Sequence, residues 1–121
     1  MRQDLRTRTR RFSVSIIRFV ETVPHTMAGA VIGKQLLRSA TSVGAHYHEA
    51  FRSRSIAEFI SKLETALQEL EETTYWLLLL VDAGLARQPT IEPLMQEADQ
   101  LAAMFVTSVK NLKSKKSTRT T

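Results

Sequence analysis

Leu36-Leu37-Arg38-Ser39-Ala40-Thr41-Ser42-Val43-Gly44-Ala45-His46-Tyr47-His48-Glu49-Ala50 is the stretch on which the fold turns. Leu36, Ala40, Val43, Tyr47 and Ala50 fall at spacings of four, three, four and three, which sets them on one face of a helix. Ser39, Ala40, Thr41, Ser42, Gly44 and Ala45 give that helix a run of small side chains, on which a neighbouring backbone can pack closely. The competing reading is a loop. Thr41-Ser42-Val43-Gly44 is also breaker-like, and glycine within a helix costs about 1 kcal/mol relative to alanine. The unbroken apolar period favours the helix, as the tightly packed centre of a bundle.

Outward from this centre the same period recurs. Upstream, Phe12, Ile16, Phe19, Val20 and Val23 make an apolar stripe for a helix over 4–22, which Pro24 ends by forcing its predecessor out of the α region. The central helix spans 27–52, with Gly29 and Gly33 in its opening turns. Downstream, Ser55 and Glu58 form a capping box that opens a helix over 55–83. Phe59, Leu63, Ala66, Leu70, Thr73, Leu77 and Leu80 continue it at four-three spacing, and Gly84 sits where a C′ glycine belongs. A fourth helix, capped near Thr90 with Pro93 in its first turn, spans 90–113 on Leu94, Ala98, Leu101, Phe105, Val109 and Leu112. The Ser/Thr/Lys segment 114–121 has nothing to bury and is expected to be a disordered basic tail. Four amphipathic helices with short connections predict an all-α, up-down-up-down four-helix bundle over residues 1–113.

Tyr75-Trp76-Leu77-Leu78-Leu79-Leu80-Val81 does not suit a solitary bundle. It is apolar on every helix face, and a helix apolar all round must be covered all round. The stretch is far too short to span a bilayer, so the expected cover is a second subunit, docking on Tyr75, Trp76, Leu78 and Leu79.

The 121 residues make a chain of one-domain size with a formal net charge of +5 and no cysteine. Disulfides, thiol catalysis and cysteine-based zinc sites are thereby excluded, and a cytoplasmic location is expected. The charge is segregated. Arg2, Arg6, Arg8, Arg10, Arg11 and Arg18 crowd the first eighteen residues, Lys110, Lys113, Lys115, Lys116 and Arg119 crowd the last twelve, and the span between is acidic. In an up-down-up-down bundle the start of the first helix and the end of the fourth lie together, so the two basic blocks are expected to meet. Arg2, Arg6, Arg8, Arg10, Arg11, Lys113, Lys115 and Lys116 are therefore the candidate contacts to RNA or DNA phosphates. No aromatic residue interleaves either block to stack on bases.

Catalytic and metal chemistry find no foothold. No glutamate is followed three residues later by histidine, the spacing a di-iron bundle uses, and His46 and His48 point to different helix faces. Gly29, Gly33, Gly44 and Gly84 stand singly, so there is no phosphate-cradling glycine loop. Glu69 and Glu72 share a helix face, either as ordinary solvated charge or partly buried and paired with Arg38. The chain reads as neither an enzyme nor a cofactor binder.

Leu37 to Ala50, together with Ser55-Ile56-Ala57-Glu58-Phe59-Ile60-Ser61-Lys62-Leu63 and Glu71-Glu72-Thr73-Thr74-Tyr75-Trp76-Leu77, resembles the small bacterial four-helix-bundle proteins encoded by intervening sequences of 23S ribosomal RNA genes. Three motifs in the right order carry the likeness, which covers roughly residues 5–112. The resemblance implies a homopentamer around a central channel and no catalytic activity. A related branch, the accessory variability proteins of diversity-generating retroelements, binds nucleic acid and a reverse transcriptase through basic surface. The family pattern favours asparagine where this chain has His46, so a polar role of that amide does not carry over. Two functions follow as expectations: a nucleic-acid-binding assembly, or a scaffold whose acidic body engages a basic protein partner of the polymerase type.

Overall fold

The computed structural model describes the backbone of residues 2–120 and the side chains of residues 5–115. Four helices, α1 (Arg2–Val20), α2 (Met27–Ala50), α3 (Ile56–Asp82) and α4 (Gln88–Thr120), make up the fold, and no strand occurs among the described residues. Each helix packs on its chain neighbours, most extensively α2 on α3, and a thinner seam between α1 and α4 closes the ring. The direction alternates. Along α1 and α2, Arg6 meets His48 while Ser13 Oγ lies 3.5 Å from the Ala40 carbonyl oxygen. Along α2 and α3, Glu49 meets Lys62 while Ser39 meets Thr73. In each pair one number rises as the other falls.

The predicted stripes are the core. Leu36, Ala40, Val43, Tyr47 and Ala50 of α2 are all buried, so the small-residue stretch is helix throughout. Facing them are Phe12, Ile16 and Phe19 of α1, Leu63, Ala66, Leu70, Leu77 and Leu80 of α3, and Ala98, Leu101, Phe105 and Val109 of α4. The small side chains also admit polar contacts between helices. Ser39 Oγ and Thr73 Oγ1 lie 3.0 Å apart in the buried α2–α3 seam, and Thr73 donates to the Glu69 carbonyl at 2.7 Å. Each hydroxyl thus has a partner, which a buried polar group requires.

The caps agree with the local chemistry. Ser55 accepts from the Glu58 amide at 3.0 Å, which is one half of the expected capping box; the return bond to the Glu58 carboxylate does not form among the described residues. Gly84 has φ +75°, with Gly84 N–H donating to Val81 O at 3.0 Å and Leu85 N–H to Leu80 O at 2.8 Å, the paired bonds of a Schellman end. Thr26 caps α2 by accepting from the Gly29 amide at 3.1 Å. Most boundaries shift by one or two residues: α1 starts and ends two residues earlier than expected, α2 ends two earlier, α3 is shorter by one at each end, and α4 differs at both ends. α4 begins at Gln88, which puts Thr90 inside the helix, moves Pro93 past the first turn, and brings Ile91 into the core as a further turn of the stripe. At its other end the helical backbone continues to Thr120, through residues expected to be a disordered tail. Lysines near a helix C-terminus are favoured by its dipole, and serine and threonine tolerate the continuation.

The apolar girdle is only partly covered. Leu77 and Leu80 are fully buried, Trp76 packs against the core, and Leu79 and Val81 are half-buried. Tyr75 and Leu78 stay 57% and 43% exposed.

Candidate nucleic-acid interface

Antiparallel packing gathers one end of the bundle from four places: the start of α1, the end of α2, the start of α3 and the end of α4. Aromatic rings build its base. Tyr47 stacks on Phe105 at 5.3 Å and meets Phe51 edge-on at 5.2 Å, and Phe51 meets Phe59 edge-on at 5.5 Å. The Arg6 guanidinium lies 4.9 Å from the centre of the Phe51 ring, with Nη2 3.3 Å from His48 Nδ1. A cation over an aromatic face is held there by the ring quadrupole, so Arg6 is positioned rather than free to wave.

Two concavities open at this end. Arg6, Thr7 and Arg10 of α1 and Gly44, Tyr47 and His48 of α2 line a groove of about 450 Å³. The other, about 490 Å³, is mainly apolar, walled by Leu5, Tyr47, Phe59, Leu63, Met104 and Leu112, with Lys115 among its polar members. Leu5 and Lys115 thus border one cavity, so the start of α1 and the last described side chains of α4 lie together.

The candidate contacts do not all behave alike. Arg6, Arg10 and Arg11 are exposed on α1, and Lys115 is exposed on α4. Arg8 is turned inward and is corrected as a surface contact. It bridges Glu97 through Nη2 at 2.6 Å and Nε at 3.1 Å, donates to Gln100 at 2.9 Å, and its side chain is only 20% exposed. This two-pronged clamp ties α1 to α4 across their thin seam. Lys113 pairs with Glu64 at 3.2 Å in an exposed contact that solvent screens. The side chains of Arg2, Lys116 and Arg119 lie outside the described residues.

Arg52 and Arg54, which were not among the candidates, belong to the same end. They lie exposed in the turn between α2 and α3, beside the Phe51 that carries Arg6. Their signal was the topology itself, because in this bundle the α2–α3 turn sits beside the start of α1. Among the described residues, no carboxylate pairs with Arg6, Arg10, Arg52, Arg54 or Lys115, whereas Lys62 is neutralised by Glu49 at 2.9 Å. That contact holds the Glu49 carboxyl below its ordinary range, through the hydrogen bond from Lys62 and then its charge.

Away from this end, Glu69 feels the charges of Glu72 on its own helix and of His46 and Arg38 on α2. Burial first, and then the Glu72 charge, push the Glu69 carboxyl above its ordinary range, while His46 and Arg38 pull it back. No ion pair forms between Arg38 and either glutamate among the described residues. His46 Nδ1 is buried without a hydrogen-bond partner among those residues. No group of three or more histidine, aspartate or glutamate side chains among them is arranged to hold a metal ion, and no helix is long and apolar enough to cross a membrane.

Comparison with known proteins agrees on one family. Residues 2–107 match the 23S rRNA-intervening sequence protein family. Among solved structures, the chain is similar to a protein of unknown function from the S23 ribosomal protein family of Bacteroides thetaiotaomicron VPI-5482. The two share 31% sequence identity with a TM-score of 0.82, over 88% of this chain and 98% of that one. No curated protein matches.

Proposed function

The chain belongs to the 23S rRNA-intervening sequence protein family, and from that premise we propose that it is a non-enzymatic, homo-oligomeric protein that grips nucleic acid by its backbone phosphates. A cytoplasmic location goes with such a partner. One observation carries this reading: Arg6, Arg10, Arg52, Arg54 and Lys115, brought from three separate parts of the chain, share one end of the bundle with no carboxylate paired to them among the described residues. Arginine forks suit phosphate oxygens, and an uncompensated cluster attracts a polyanion over several ångströms. No exposed aromatic row accompanies the cluster, so the expected binding follows charge rather than base sequence.

Affinity for a single-stranded RNA is expected to fall steeply between low and moderate salt, with little dependence on sequence. Changing Arg6, Arg10, Arg52 and Arg54 together to glutamine should weaken binding at least ~100-fold at moderate salt, since every arginine withdrawn from a phosphate removes part of the counterion-release term. Helix content should remain unchanged, because all four side chains are exposed. If the variant binds as the parent does, the basic end only solubilises the chain. The scaffold for a basic protein partner of the polymerase type then takes over.

The oligomer is supported by Tyr75 and Leu78, which stand one turn apart on α3 as uncovered large apolar side chains. The family resemblance favours five copies. Light scattering is expected to give a multiple of the 13.7 kDa chain mass. Leu78→Glu should shift the protein to the single-chain mass with its helical signal intact. Trp76 is the wrong residue for that test, because it packs against the core and its loss would unfold the chain as well. A parent protein of single-chain mass at micromolar concentration would refute the assembly.

A further inference from the structure

We propose that the groove between α1 and α2 is a phosphate-binding notch, in which Arg6 and Arg10 clasp one phosphate group above Gly44. Three features of this groove are unfavourable for the folded chain on its own. First, Arg6 and Arg10 stand four residues apart on one helix, where like charges repel, and no carboxylate pairs with either among the described residues. Second, Arg6 is held at the groove by the Phe51 face, 4.9 Å away, and by His48 Nδ1 at 3.3 Å, which fixes a cation next to another cation. Third, Gly44 sits mid-helix, where glycine weakens the helix relative to alanine. A Cβ on Gly44 would meet Thr9 at 3.5 Å, an ordinary contact, so the packing of α1 on α2 does not demand glycine there. What the missing side chain leaves is bare Gly44 backbone on the groove wall.

A bound phosphate accounts for all three. Its charge offsets the repulsion between the two guanidiniums, each of which can offer two parallel N–H donors to its oxygens. His48 lines the same wall and supplies a further ring nitrogen, and Thr7 a hydroxyl. The groove, at about 450 Å³, has room for a phosphate with the sugar that carries it. The notch rests on the nucleic-acid reading only for its physiological ligand. The shared chemistry is a phosphate, whether on a nucleic-acid backbone or free in solution.

The test uses the full chain, labelled with ¹⁵N, and two probes. Inorganic phosphate is titrated against it, with chloride at equal ionic strength as control, while the Gly44 amide and the Arg10 Nε–H are followed. A single-stranded RNA is then titrated at moderate salt. The parent is expected to show saturable shifts with phosphate that chloride does not produce. Arg10→Gln should lose the Gly44 shift and weaken RNA binding about ten-fold, as removal of a two-pronged phosphate contact does. Arg54→Gln, at the same end but outside the groove, should keep the shift and weaken RNA binding only about two-fold, as one charge fewer. Phosphate shifts lost in Arg10→Gln, with no RNA binding by the parent, support the notch as a free-phosphate site and refute the nucleic-acid reading. The absence of saturable shifts in the parent, or equal weakening of RNA binding by the two variants, overturns the notch and leaves the nucleic-acid reading standing.

Discussion

Replacing Gly29 by alanine is expected to destabilise the protein by about 1–3 kcal/mol, although glycine is ordinarily the poorer helix residue. The cause is the tight turn from α1 into α2. A Cβ on Gly29 would lie 2.1 Å from the carbonyl oxygen of Pro24 and 3.1 Å from Thr26 Oγ1. The first neighbour is backbone and cannot swing away as a side-chain tip would. The second is the cap that accepts from the Gly29 amide, so relieving one clash disturbs the capping hydrogen bond. Overpacking of this kind costs about 1–3 kcal/mol and a lost cap about 1 kcal/mol, against a helix-propensity gain of about 1 kcal/mol. Gly33→Ala is the matched control, because a Cβ there meets only Val20 Cγ1, at an ordinary 3.5 Å. It should melt at or slightly above the parent temperature. Thermal melts of the three proteins decide the matter, and a Gly29→Ala variant as stable as the Gly33→Ala variant would show that the turn yields freely.

The second large effect is at Phe105, which is fully buried and stacks on Tyr47 across the diagonal of the bundle. Phe105→Ala should cost about 3–5 kcal/mol, the usual range for deleting a core ring that its neighbours cannot fill. That is a large share of the roughly 5–15 kcal/mol by which a domain is stable. In urea the midpoint should fall while the slope stays the same, since the surface exposed on unfolding hardly changes. The damage should also reach the basic end. Tyr47 lines both the arginine groove and the apolar cavity, and its ring loses its stacking partner. Phosphate binding should therefore weaken in this variant even at temperatures where it remains folded. A loss below about 1 kcal/mol would mean that the core collapses around the vacancy.

Much of the fold could be read along the chain because it is written in local terms. The period of Leu36, Ala40, Val43, Tyr47 and Ala50 depends only on helix geometry, and all five are buried. Ser55 and Gly84 act through backbone groups within a few residues of themselves, so their capping roles were visible without any partner helix. Where local signals were weaker the reading slipped. Gln88 starts α4 before the threonine that looked like its cap.

The candidate site was legible only as two charged blocks. That Arg6 and Arg10 share a groove with His48, that Arg8 faces away to clamp Glu97, and that Arg52 and Arg54 join from another turn are matters of which helix faces which. The same holds for the Ser39–Thr73 contact and for Tyr75 and Leu78, which share an apolar run with buried neighbours yet remain uncovered. A sequence determines the stripe a helix must bury, because burying it outweighs every other local choice. The rotation of polar side chains on the remaining faces involves far smaller energies. It was decided only when the four helices closed on one another and each arginine found a carboxylate, an aromatic face or open solvent opposite it.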